Sequence, residues 1–103
     1  MAQFDLREVA PGMTGAARYL LELQADPVDE LGLCIVVPVK SADQVSSFVR
    51  RIHIPFNYGD ERLVICMAEL VSLPERMLGP VRGNAAQLRS SIIEAIDFVF
   101  AGF

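Results

Sequence analysis

A chain of 103 residues, 52% hydrophobic and 21% charged, is the size of one domain with one core, and its apolar balance is the opposite of what disorder requires. Nine Lys and Arg against thirteen Asp and Glu leave a net charge of −4, so there is no basic field to hold a phosphate backbone, and direct nucleic-acid binding is disfavoured. No apolar run reaches the roughly eighteen residues of a membrane span, and the opening MAQFDLREVAPG lacks a basic region followed by an apolar stretch, so a single cytoplasmic domain over residues 1–103, with no membrane partner, is expected.

In chain order, QFDLREV (3–9) sets Phe4 and Leu6 against Gln3, Asp5 and Arg7, the alternation of a half-buried strand, and then meets the breaker APGMTG. ARYLLELQ (17–24) predicts a second strand with Tyr19, Leu21 and Leu23 on one face. LCIVVPV (33–39) is β-branched and apolar on both faces, as a central strand is, with Pro38 placed where its missing N–H does no harm. KSADQVSSFVRR (40–51) keeps helical spacing at Val45, Phe48, Val49 and Ile52 but is short and serine-rich, which leaves a loop or one helical turn. RIHIPFNYGDE (51–61) and ERLVICMAEL (61–70) flank Tyr58-Gly59-Asp60, a hairpin turn. PGMTG (11–15) and GPVRGN (79–84) hold glycines without phosphate-loop spacing or a following Lys-Ser/Thr, and read as turns.

The last segment, GNAAQLRSSIIEAIDFVFAGF, differs in kind because it joins a start signal, a helical period and a stop signal. Asn84 can cap the first turn with Gln87 three residues on, and Gly102 suits the left-handed position past the end. Leu88, Ile92, Ala95, Ile96, Val99 and Phe103 form one stripe, with Ile93 and Phe100 on one flank and Phe98 on the other. That apolar face covers more than half the circumference, whereas packing on a sheet needs only about 100°. The surplus predicts a second surface, such as a symmetry mate, with Ser90, Glu94 and Asp97 as the narrow polar remainder.

The inventory for chemistry is thin. His53 is the single histidine, and the sequence holds no CxxC and no carboxylate cluster at metal-ligand spacing, so no metal, cofactor or catalytic group is expected and His53 reads as a structural or merely exposed strand residue. Cys34 in LCIVV and Cys66 in LVICM read as buried hydrophobes, with a disulfide or a thiol activated by His53 as the alternative. Asp60, Glu61 and Arg62 read as a solvated hairpin tip. Residue chemistry alone points to a binding module, not an enzyme.

The order ARYLLELQADPVDELG, CIVVPV, NYGDERLVICMAELVSLPERMLG and IIEAIDFVFAGF resembles the CcdB toxins of bacterial toxin–antitoxin modules along nearly the whole chain. The most specific pieces are LQADPVDE (23–30), VVPV (36–39), GDE (59–61), LVSLP (70–74) and the ending. The resemblance implies a mainly β fold with a C-terminal α-helix, an SH3-like β-barrel of the CcdB/MazF type, homodimeric through the helix ends. It implies a toxin of a type II system that binds and poisons the A subunit of DNA gyrase and is neutralised by a small antitoxin. By the same resemblance Ala25, Pro27 and Val28 fall on the early motif's serine and aliphatic pair, Asp97 on the helix asparagine, and Ala101, Gly102 and Phe103 on the gyrase-facing Trp-Gly-Ile tip. The dimer contact would use Phe98, Phe100, Ala101, Gly102 and Phe103. The family's tryptophan is Ala101 here and the chain has no tryptophan elsewhere, so the alternative is a CcdB-like dimer with a lost or altered target, acting as an antitoxin-binding corepressor. The fold is shared with MazF-type endoribonuclease toxins, a third reading to which an acidic chain with one histidine offers little.

Overall fold

The computed structural model describes residues 3–9, 17–24 and 32–102. Seven strands, β1 (Asp5–Val9), β2 (Ala17–Glu22), β3 (Leu33–Ser41), β4 (His53–Tyr58), β5 (Glu61–Cys66), β6 (Val71–Pro74) and β7 (Leu78–Asn84), precede one helix, α1 (Arg89–Ala101). All pairings are antiparallel, in the order β4-β5-β3-β2-β1-β7, with β6 beside the first residues of β3. The nine-residue β3 is central as its composition requires: β2 runs along one edge, while β6 takes residues 33–36 and β5 residues 39–41 of the other.

Both faces of β3 are therefore used. Val37 and Val39 join Phe4, Leu6, Tyr19, Leu21, Leu63, Ile65 and Met67 in the main core, whereas Cys34 and Val36 join Leu20 and Leu78 in a second cluster. Each such side chain contributes about 1.5–3 kcal/mol on full burial, which is why the register is fixed: a one-residue slip would exchange the two sets. On the second cluster's side of the sheet lies a buried ion pair, Arg7 Nη1 to Glu22 Oε2 at 3.0 Å, with Cys34 Sγ 3.8 Å from Glu22 Oε1, and Arg7 Nε also donates to the Gly79 carbonyl at 2.7 Å. That pair ties β1, β2 and β7 together.

Several boundaries depart from the sequence reading. GPVRGN is not a turn but most of β7, paired with β1 through two register shifts. Its glycines answer close approach: a Cβ on Gly79 would lie 2.8 Å from the Glu8 carbonyl oxygen, and one on Gly83 2.5 Å from Tyr58 Oη. The run 61–70 stops at Cys66, after which Met67–Glu69 form a 3-10 turn and β6 begins at Val71. In the segment 40–51, Lys40 and Ser41 finish β3, Ala42–Gln44 form a 3-10 turn, and residues 45–51 loop. Gly59, at φ 60°, makes the expected hairpin turn.

The expected β-barrel is open along the backbone: β4 and β7, the two ends of the sheet, share no ladder. The Tyr58 side chain spans the seam instead: its Oη donates to the Arg82 carbonyl at 2.5 Å. Beside it the Tyr58 ring meets Tyr19 of β2 edge-on at 5.7 Å, and Arg82 pairs with Glu8 of the neighbouring β1. Among the described residues β4, β6 and β7 each pair on one side only, and each carries a proline, Pro55, Pro74 and Pro80 respectively.

The helix begins later than its cap signal. Asn84 Oδ1 accepts the Ala86 N–H at 2.8 Å and so caps a 3-10 turn, Ala86–Leu88, while no side chain caps α1 itself. Gly102 closes the far end as expected, at φ 81° with its N–H donated to the Phe98 carbonyl at 3.0 Å. Ile92 and Ala95 are buried in the main core, with Leu88, Ile96 and Val99 packed around them. No helix among the described residues is long and apolar enough to cross a membrane.

Candidate binding site

Two surfaces meet at the C-terminal half of α1. The first is the helix end. Phe100 is 70% exposed, Ala101 and Gly102 are exposed, and Asp97 is exposed one turn earlier. No basic residue sits in the last turn, so the negative pole of the helix and Asp97 reinforce each other there. Phe98 is half-buried because the Arg51 guanidinium lies 4.2 Å from its ring centroid. Of the other residues assigned by resemblance, Ala25, Pro27, Val28 and Phe103 lie outside the described residues.

The second surface is a groove of about 860 Å³ between α1 and the segment that leads into β4. Ile54 and Ala95, both buried in the core, form its floor. Phe48, Arg50, Arg51, His53 and Pro55 line one wall, and Ser91, Glu94 and Asp97 the other. Helical geometry explains the second wall, since positions 91, 94 and 95 share one face and 97 follows 94 at i+3. Basic groups thus stand on the loop and acidic groups on the helix, over an apolar floor.

The loop wall is pinned by His53. Its main-chain N–H and that of Ile52 both donate to the Val49 carbonyl, at 2.9 and 3.0 Å, and the Val49 N–H donates to His53 Nδ1 at 2.7 Å. An Nδ1 that accepts leaves the neutral ring's proton on Nε2. Phe48 stacks on the imidazole, with centroids 5.6 Å apart and planes at 26°.

His53 therefore has a structural task through its Nδ1. Cys66 faces His53 across the β4–β5 ladder, yet burial, followed by the Glu69 carboxylate, pushes its thiol above the ordinary value. Burial, then the Glu22 carboxylate, does the same to Cys34. Both cysteines are buried, and neither forms a disulfide among the described residues. Among the described residues no three His, Cys, Asp or Glu side chains gather to hold a metal. The site presents an apolar surface with opposed charges.

Sequence reasoning placed Asp97, Ala101 and Gly102 at one end of a helix and the structure keeps them there; it missed the groove. The available signals were the Arg50-Arg51 pair and the Glu94/Asp97 spacing on the narrow polar face of the helix.

The family model described as CcdB protein matches residues 3–102. No curated protein sequence matches. Among solved structures, 46 chains match the fold. The crystal structure of an Mtb toxin superposes with a TM-score of 0.69 at 22% identity, covering 92% of this chain and 99% of that one. An endoribonuclease in complex with its cognate antitoxin, from a mycobacterial species, superposes with a TM-score of 0.73 at 9% identity, covering 96% and 93%. At these identities the likeness is one of fold.

Proposed function

This chain belongs to the CcdB family, and from that premise we propose that it is a toxin of a type II toxin–antitoxin module, a homodimer that binds and inhibits the A subunit of DNA gyrase without catalysing a reaction and is neutralised by a small antitoxin. The observation that carries this reading is the uncovered helix end. Phe100, Ala101 and Gly102 form an exposed tip beyond the buried Ile92 and Ala95, and a two-fold mate presenting the same patch would cover it. The SH3-like barrel of the CcdB/MazF type is the architecture in which the open sheet is read, with the Tyr58–Arg82 bond at the seam.

A second reading rests on one residue. Ala101 is exposed where the family tip carries tryptophan, and an aromatic anchor of that kind is worth about 2 kcal/mol or more, a factor of roughly 30 in affinity. A dimer that has exchanged its target and acts as an antitoxin-binding corepressor fits that loss.

Supercoiling and cleavage-complex assays with purified gyrase separate the two. The parent is expected to trap gyrase–DNA complexes only at high concentration, and Ala101→Trp to do so at about 30-fold lower concentration. If neither protein affects gyrase, the gyrase reading fails and the altered-target reading stands. Site-specific cuts in a mixed RNA substrate would overturn the non-catalytic part of the proposal.

A further inference from the structure

We propose that His53 is a proton-operated latch on the groove: the neutral imidazole holds the 45–52 loop in place, and protonation releases it. The argument is one of donors and acceptors. Nδ1 lies 2.7 Å from the Val49 nitrogen and 3.2 Å from the Val49 oxygen. In the neutral ring it accepts the Val49 N–H. An imidazolium carries protons on both nitrogens, so Nδ1 then points a donor at a donor. The nearby carbonyl offers no relief, because Val49 O already accepts from Ile52 and His53 and a carbonyl has two lone pairs. The loop has to move.

The surrounding charges give the movement a direction. Arg50 and Arg51, on the loop, repel an imidazolium, while Glu94 and Asp97, across the groove on α1, attract it. Cys66, opposite on β5, is held as a neutral thiol by burial and contributes no charge. Protonation therefore frees Phe48 and Val49 from the ring that anchors them, and draws that ring toward the helix wall. Phe48 and Val49 are among the large exposed hydrophobic residues, Phe48 at 52% exposure, so the apolar rim that the groove presents to any partner changes with pH.

The test is a two-dimensional amide NMR titration between about pH 8 and 5 of the whole chain and of His53→Asn, whose side-chain oxygen can accept from Val49 at every pH. In the parent the Val49 amide and the Phe48 ring resonances should move in one sigmoid with the imidazole protons. In His53→Asn that movement should be lost. A Val49 amide that stays still while the imidazole titrates, or that moves equally in the variant, overturns the proposal. Should His53→Asn not fold by circular dichroism, Phe48→Trp decides, because its indole is the only one in the chain. Its emission should shift with imidazole protonation; emission that is flat across the titration overturns the latch.

Discussion

Replacing Glu22 by glutamine tests the buried polar tie between β1, β2 and β7. Glu22 is 2% exposed and the Arg7 side chain 11%, so the substitution keeps shape but strands a guanidinium away from water. Removing one partner of a buried pair costs about 3–5 kcal/mol. The glutamine oxygen still accepts one neutral bond from Arg7, which recovers about 1 kcal/mol. A net loss of about 2–4 kcal/mol follows, a large share of the roughly 5–15 kcal/mol that holds a domain together. Adding Arg7→Met to Glu22→Gln removes the stranded charge and leaves the Gly79 carbonyl without its 2.7 Å donor, at a cost of about 1–3 kcal/mol. The double variant is therefore expected to lose less than the sum of the single losses, with a coupling of about 2 kcal/mol. Urea unfolding at one fixed protein concentration, followed by circular dichroism because the chain has no tryptophan, measures all three. If Glu22→Gln costs under about 1 kcal/mol and the losses add, the pair behaves like an exposed one and the argument from burial is wrong.

The seam between β4 and β7 gives a second pair of expectations. Tyr58→Phe should cost about 1 kcal/mol, and Gly83→Ala about 1–3 kcal/mol because its Cβ would overlap Tyr58 Oη; thermal denaturation and faster amide exchange confined to β7 would register both. The raised thiols set the alkaline behaviour. Above pH 9.0 the unfolded chain releases thiol protons that native Cys34 and Cys66 retain, so their contribution is complete below that pH and declines above it. Replacing both by alanine should flatten the fall in stability between pH 8 and 10, with a residue from Tyr19, which burial also raises from 10.0. In the native state neither thiol should react with a disulfide reagent, and both should react in urea.

What the sequence revealed and concealed follows from how local each signal is. β1, β2 and β3 were legible because burial on one face, or on both, writes itself as alternation or as an unbroken β-branched run. The helix end was legible because Gly102 is needed by the backbone at that residue alone. β7 was hidden because its glycines serve neighbours distant in sequence, Glu8 and Tyr58, and look like turn residues when read singly. β6 is four residues long and half exposed, too short to show a period. The groove was concealed for a further reason: Arg50 and His53 stand some forty residues from Glu94 and Asp97, and only the packing of α1 beside β4 makes them one surface.

Those three edge prolines also bear on how the protein finds company. A strand edge with a full row of donors is a template for another strand, in fibrils and in peptide partners alike. Pro55, Pro74 and Pro80 each delete a donor from one of the open edges, in a chain that is half apolar and would otherwise invite such growth. Main-chain pairing, which tolerates almost any sequence, is thereby disfavoured at these edges, and recognition is left to side chains, which can be selective.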